Sequence, residues 1–189
     1  MSQARVFEIL SFIWLVGEVL IVLLTTRRRG EGKVHDRGSQ IILWIVIVTS
    51  FSIDGRLHDV LPENMPGSHS WLQPLAIGML VFGLVFRAVA VFNLGRAFSA
   101  NVTLREGQKL QRSGLYAVVR HPSYLGLEII FLAFALHSRT WACFAVVLIP
   151  PSLALLYRIH VEEKALRLAF GAEYEEYCRT TKRLIPGIF

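Results

Sequence analysis

Five blocks of apolar residues constrain the fold of this 189-residue chain more than any other feature. The blocks are residues 6–26, 41–61, 72–94, 122–136 and 141–157. The first and third are long enough to cross the roughly 30 Å apolar layer of a bilayer as helices. With 53% hydrophobic residues and a mean hydropathy of +0.49, the chain is too apolar for an ordinary soluble domain. The pattern predicts an all-α, polytopic membrane protein with five transmembrane helices.

The fourth and fifth blocks are short, and only residues 137–140 separate them, so they predict a tight helical hairpin. The second block is the least regular, because its clean apolar run ends at Ile53 and Asp54 and Arg56 follow. We expect a single membrane domain, 1–189. Residues 1–95 supply three spans, and residues 96–189 supply the hairpin and a cytoplasmic, helical C-terminal segment.

Basic residues cluster in three of the segments outside the apolar blocks. They are Arg27, Arg28, Arg29, Lys33 and Arg37, then Arg96, Arg105, Lys109, Arg112 and Arg120, then Arg158, Lys164, Arg167, Arg179, Lys182 and Arg183. The positive-inside rule then predicts an N-terminus outside and all three segments in the cytoplasm, provided that the second block crosses. This topology and contact with anionic lipid explain the net charge of +6. We expect membrane lipid, not nucleic acid, as a partner.

Residues 120–132, "RHPSYLGLEIIFL", place a polar cluster at the mouth of the fourth block. Proline is favoured at the first position of a helix, so Pro122 should begin the span with His121 at its cap. The N–H groups of the next three residues would then be free to bind a carboxylate or phosphate: Ser123, Tyr124 and Leu125. Gly126 would allow close backbone approach. The alternative is an interfacial helix start at which Arg120 extends to lipid headgroups.

The C-terminal end of the fifth block carries a second polar group. Arg158 and Glu162 are four residues apart, so they share a helix face. Because the hairpin is tight, they should converge with His121 and Tyr124; the alternative is a surface ion pair. Glu163 and Lys164 we interpret as an ordinary solvated pair. Beyond them, an apolar pattern with a break at Gly171 predicts a helix that packs back on the domain or lies in the membrane interface: Leu166, Ala169, Phe170, Tyr174 and Tyr177.

Three ionisable residues lie inside the predicted spans. Glu18, Arg87 and Glu128 lie at similar depths from the cytoplasmic end of their helix, counted at 1.5 Å per residue. Charges at that depth are expensive unless paired, and equal depth predicts one cluster. The cluster either locks the spans together or lines a tunnel for a substrate.

The C-terminal half of the chain resembles a known family. The stretches "GLYAVVRHPSYLG", "RIHVEEKALRLAFGAEYEEY" and "RLIPGIF" are similar to the isoprenylcysteine carboxyl methyltransferase family, over roughly residues 93–189. The resemblance implies a compact set of membrane helices with a cytoplasmic S-adenosylmethionine site in the half 96–189. It implies that the cofactor is bound by Gln108, Lys109, Leu110, Gln111, Tyr116, His121, Pro122, Ser123, Tyr124 and Glu162. It further implies that Arg158 meets the carboxylate of the methyl acceptor, and Glu128 and Arg87 are candidates for the acceptor tunnel.

The chemistry of methyl transfer agrees with these residue types. A carboxylate nucleophile needs positioning and exclusion of water, but no metal and no general base. An arginine fork suits a carboxylate, whereas an amine acceptor would need a base such as Glu128 or Glu162. The chain resembles short, prokaryotic-type members, so the acceptor could be a prenylcysteine or another isoprenoid or lipid acid. The alternatives are a phospholipid-amine N-methyltransferase, a sterol-type NADPH-dependent reductase and a non-catalytic membrane protein.

Overall fold

The computed structural model describes residues 2–27, 33–36, 38–65, 71–95, 102–104 and 110–188. Its helices are α1 Gln3–Arg27, α2 Gly38–Val60, α3 Leu72–Leu94, α4 Pro122–His137, α5 Trp141–Phe170 and α6 Ala172–Thr180. A 3-10 helix, Gly114–Ala117, precedes α4. The helical, polytopic membrane fold predicted from the sequence is confirmed.

Four helices, α1, α2, α3 and α5, are long and apolar enough to cross a membrane. They include α2, the least regular of the predicted spans, which continues through Asp54 and Arg56 as one helix of 23 residues. α4 has 16 residues, which is about 24 Å and shorter than the apolar layer of a bilayer. All five predicted helices are therefore present, while five complete crossings stay a prediction.

The short helix α4 lies at the centre of the bundle. Its side chains Ile130, Phe131 and Ala133 are fully buried between α3 and α5. The outer helices instead turn apolar side chains outward, for example Phe12 on α1 and Leu153 on α5, which are 66% and 61% exposed. Lipid tails solvate such a surface as well as they solvate one another, so the apolar exterior agrees with a membrane environment.

Two glycines bring α3 and α4 into close contact. A Cβ atom at Gly83 would lie 2.8 Å from Cγ1 of Ile130, and one at Gly126 would lie 2.8 Å from Cβ of Arg87. Small residues at such crossings let helix backbones approach each other in membranes. Gly126 was predicted to permit close approach, and it does so towards the backbone of α3.

The guanidinium of Arg87 joins three helices. Its Nη2 donates to Oε2 of Glu18 on α1 at 2.7 Å, its Nε donates to Oε1 of the same carboxylate, and its Nη1 donates to the carbonyl of Ser123 on α4 at 2.9 Å. Both charged residues are buried. The predicted ion pair of Arg87 with Glu18 is thus present, but the predicted cluster of three is wrong in one member, Glu128. Glu128 instead accepts a hydrogen bond from Ser152 on α5, 2.7 Å away, because it lies on the face of α4 that meets α5.

A two-stranded antiparallel ribbon was not predicted. Strand β1, Lys33–Asp36, pairs with strand β2, Val102–Leu104, with Val34 opposite Thr103. Each strand is only three or four residues long, so no alternating pattern could reveal it in the sequence. The ribbon joins the segment after α1 to the segment after α3 and contacts α5.

We predict that Arg87→Ala destabilises the bundle, because it leaves the Glu18 carboxylate buried without its charge partner. Breaking a buried pair in this way costs about 3–5 kcal/mol. The apparent melting temperature of the detergent-solubilised protein should fall clearly. Arg5→Ala is the matched control, since Arg5 is exposed on the same helix as Glu18. Equal melting temperatures for the two variants would contradict the structural role of Arg87.

Candidate active site

A cleft opens between α1, α2 and the centre of the bundle. Most of its lining residues are apolar, and two guanidiniums, a carboxylate, an amide and a tyrosine complete the lining. The lining residues are Trp14, Glu18, Ile21, Val22, Gln40, Leu43, Trp44, Ile47, Arg87, Tyr124, Leu127 and Arg158. The cleft can therefore receive an apolar chain that carries an anionic head group.

Tyr124, in the first turn of α4, stands between the two polar residues predicted on α5. Nε of Arg158 donates to its hydroxyl at 3.0 Å, and the hydroxyl donates to Oε2 of Glu162 at 2.7 Å. Nη1 of Arg158 also donates to Oγ of Ser39 on α2, at 3.1 Å. The predicted convergence of His121, Tyr124, Arg158 and Glu162 is present, because α4 and α5 form the expected hairpin.

His121 caps α4 and is buried. Its Nδ1 lies 3.9 Å from Oε2 of Glu162, and its Nε2 lies 3.5 Å from Oε1 of Glu163. Its ring stacks on that of Tyr124 with a centroid separation of 5.6 Å. Two carboxylates therefore lie near one imidazole.

The N-terminus of α4 offers fewer donors than the sequence predicts. Tyr124 and Leu125 both donate their N–H groups to the carbonyl of His121. Ser123 is the remaining one of the three predicted donors. Pro122 begins the helix as expected. The carbonyl of the cap residue takes two bonds because the first turn of α4 is tightly wound.

Tyr116, in the 3-10 helix, is buried against α3 and α6. Its hydroxyl lies 3.4 Å from the carbonyl of Ala90, and its carbonyl accepts from the hydroxyl of Tyr177 at 2.6 Å. Burial raises the pKa of Tyr177 to about 12, so this hydroxyl keeps its proton. Leu110 and Gln111 approach the 3-10 helix from the N-terminal side, where Gln111 bonds to Ser113. The predicted contacts of Gln108 and Lys109 lie outside the described residues.

Glu163 is the residue that sequence reasoning missed. It is not a solvated residue but has no exposed surface at all. Its carboxylate accepts from Nε of Arg120 at 3.1 Å and from Nη2 of Arg183 at 2.9 Å, and Nη2 of Arg167 lies 3.6 Å away. Arg167, four residues after Glu163 on the same helix, was a weak signal in the sequence that Glu163 has basic partners. The other two arginines come from distant segments. Lys164 is exposed, as expected.

The buried carboxylate of Glu163 helps to hold the C-terminal segment, residues 181–188, beside His121. The N–H groups of Arg120 and His121 donate to the carbonyls of Lys182 and Arg183 at 2.8 and 3.1 Å. The side chain of Arg120 also donates to the carbonyl of Thr181. The helical segment after Gly171 packs back on the domain, with Tyr174 and Tyr177 buried, which decides between the two predicted positions. The C-terminus thus forms part of the wall behind the candidate site.

These features define the class of the protein: a multi-pass helical membrane protein in which an apolar cleft leads to a polar site at the end of the bundle. Sequence comparison gives the particular family. The family model of the isoprenylcysteine carboxyl methyltransferases (ICMT) matches residues 76–168. Over these residues, about half of its length, the chain is similar to the isoprenylcysteine carboxyl methyltransferase family. The match begins inside α3, earlier than the resemblance noted from the motifs.

Individual relatives agree with this assignment. The chain is 29% identical over 126 residues to protein-S-isoprenylcysteine O-methyltransferase B of Arabidopsis thaliana, covering 64% of this chain and 62% of the relative. It is 27% identical over 187 residues to a probable protein-S-isoprenylcysteine O-methyltransferase of Oryza sativa subsp. indica, covering 93% and 96%. The human protein-S-isoprenylcysteine O-methyltransferase is 30% identical over 125 residues, which cover 63% of this chain and 43% of the relative. The predicted enzyme class agrees with the names of these relatives.

We predict that Glu163→Gln loosens the C-terminal segment. The change keeps the size of the side chain and removes the charge that three arginines share. Because two of these arginines are partly exposed, we expect the lower end of the cost of breaking a buried pair, about 3 kcal/mol. Hydrogen exchange of residues 181–188 should become faster, and the melting temperature should fall.

Glu176→Gln is the control, since that glutamate pairs with Arg179 on an exposed face of α6. An exposed pair of this kind contributes about 0.5 kcal/mol or less. If the two variants exchanged equally at residues 181–188, Glu163 would not hold the segment.

Proposed function

We propose that this protein transfers the methyl group of S-adenosylmethionine to the carboxylate of a lipid-embedded acceptor, a prenylcysteine-like molecule or another isoprenoid or lipid acid. The observation that carries the proposal is the position of Arg158. It lines an apolar cleft and is joined through one tyrosine hydroxyl to Glu162. Similarity to the family supports the same reaction, because the relatives named above are isoprenylcysteine methyltransferases.

The cleft supports an acceptor with an acidic head and an apolar tail. Leu43, Trp44 and Ile47 of α2 supply an apolar wall, and Arg158 supplies a buried guanidinium that can hold a carboxylate by two parallel hydrogen bonds. Arg87 lines the same cleft but is neutralised by Glu18. We therefore propose that Arg158 binds the acceptor carboxylate, and that the ion pair of Arg87 with Glu18 forms a polar part of the cleft wall. A direct role of Glu128 in acceptor binding rests on its depth alone.

The cofactor proposal rests on the groups beside Tyr124. S-adenosylmethionine carries an ammonium, a carboxylate, ribose hydroxyls and an adenine. Glu162 is only part-buried and can accept from the ammonium or the ribose, while His121 and the N–H of Ser123 can meet the carboxylate. The Nε2 atom of His121 is buried and faces Oε1 of Glu163 at 3.5 Å, so the Nδ1 side of the ring, beside the part-buried Glu162, is the side that can meet the cofactor. The residues present therefore fit this cofactor.

The residues of the chain then act by positioning. The bound cofactor supplies an activated methyl carbon. Arg158 holds the acceptor carboxylate, and the apolar walls of the cleft keep water away from the nucleophile. Neither a general base nor a metal is needed, because a carboxylate is already deprotonated at neutral pH. We further propose, from the distribution of basic residues, that the N-terminus lies outside and the site faces the cytoplasm.

We predict that the purified protein binds S-adenosylhomocysteine, the product of the cofactor, with micromolar affinity in the presence of EDTA. Isothermal titration calorimetry in detergent or nanodiscs measures this directly. NADPH should give no heat of binding. Binding of NADPH alone would favour the sterol-type reductase, and binding of neither ligand would favour a non-catalytic protein. Methylation of phosphatidylethanolamine but of no lipid acid would favour the amine methyltransferase.

We also predict that Glu162 and Arg158 act on different substrates. Glu162→Gln should weaken the binding of S-adenosylhomocysteine about tenfold or more, since hydrogen bonds to a charged group contribute about 1.5–3 kcal/mol. Arg158→Ala should leave the affinity for S-adenosylhomocysteine largely unchanged and remove turnover of the acceptor. Lys164→Ala, exposed on the same helix, is the control. Equal losses of cofactor affinity in the Glu162 and Arg158 variants would refute this division.

A further inference from the structure

The hydroxyl of Tyr124 is the one polar group that touches both Arg158 and Glu162 among the contacts described above. It accepts from Nε of Arg158 at 3.0 Å and donates to Oε2 of Glu162 at 2.7 Å. The tyrosine is buried, and the centroid of its ring lies 5.6 Å from that of His121 and 6.0 Å from the guanidinium carbon of Arg158.

The direction of these two hydrogen bonds is fixed by chemistry. A guanidinium can only donate, so the lone pair of the hydroxyl is used towards Arg158. The single hydroxyl proton must then point to Glu162, which is a short distance away and accepts it. Two hydrogen bonds in series through one hydroxyl polarise each other and strengthen together. A ligand that restrains Arg158 further therefore also restrains Glu162, and the reverse.

We propose that Tyr124 couples the two substrate sites, so that binding of the acceptor carboxylate at Arg158 raises the affinity for the cofactor at Glu162, and the reverse. The inference rests on the function proposed above. An acceptor carboxylate immobilises the guanidinium, which fixes the hydroxyl and presents Glu162 in one orientation to the cofactor. Linkage requires that the cofactor strengthens acceptor binding by the same factor. Tyr124 is then a positioning residue for both substrates together.

The coupling can be measured without turnover. S-adenosylhomocysteine replaces the cofactor, because it lacks the sulfonium and so removes direct attraction between that charge and the acceptor carboxylate. N-acetyl-S-farnesylcysteine serves as the acceptor probe. The dissociation constant of S-adenosylhomocysteine is measured by calorimetry in nanodiscs, with no probe and with saturating probe, for the full-length protein.

For the wild type we expect saturating probe to tighten the binding of S-adenosylhomocysteine at least about fivefold, the lower end of typical coupling between sites. In Tyr124→Phe this ratio should fall to about one, because the ring and its packing remain while both hydrogen bonds are lost. Tyr157→Phe, at the exposed neighbour of Arg158, should keep the wild-type ratio. If the role of Tyr124 were purely structural, Tyr124→Phe would change the dissociation constants of S-adenosylhomocysteine with and without probe by the same factor, and their ratio would stay at the wild-type value.

Arg158→Lys gives a second variant that does not depend on the stability of Tyr124→Phe. It keeps the positive charge but loses the planar fork, so it should bind the probe with a ratio near one. A wild-type ratio of one, or a wild-type ratio in Tyr124→Phe, would overturn the proposed coupling while leaving the proposed function intact. Failure of the wild type to bind S-adenosylhomocysteine or the probe would overturn the proposed function as well.

Discussion

A buried guanidinium must have its N–H groups satisfied, and this requirement at Arg87 organises the rest of the bundle. The side chain is almost fully buried, and its N–H groups bind the carboxylate of Glu18 from α1 and the carbonyl of Ser123 from α4. Gly126 lets the two backbones approach closely enough for the second contact. The position of the first turn of α4 is thereby set from inside the bundle, and with it the positions of His121 and Tyr124.

A second buried charge performs the complementary task at the other side of that turn. Glu163 collects arginines from the segment before α4, from α5 and from the C-terminal segment. Both charged groups hold the start of α4 in place. Arg87 donates to the carbonyl of Ser123, and Glu163 accepts from the side chain of Arg120. Rigid placement of this kind is what methyl transfer requires, because its rate depends on alignment of two reactants.

The two proposed substrates come from different phases, which explains the location of the site. A lipid acid reaches Arg158 along an apolar cleft, and a water-soluble cofactor reaches Glu162 at the part-buried end of α5. The hydroxyl of Tyr124 lies where these two routes meet. A site at the edge of the bundle is thus a consequence of combining a membrane substrate with a polar one.

The sequence by itself determined the apolar helices, the hairpin of α4 and α5 and the convergence of His121, Tyr124, Arg158 and Glu162, because these follow from local hydropathy and from helical spacing. Tertiary structure alone decided the partners that come from distant segments. It buried Glu163 among arginines from distant segments, separated Glu128 from the ion pair of Arg87 and Glu18, and used the N–H groups at the start of α4 for bonds to His121. Depth in a membrane can be counted along a helix, but the direction in which a side chain points depends on how the helices pack.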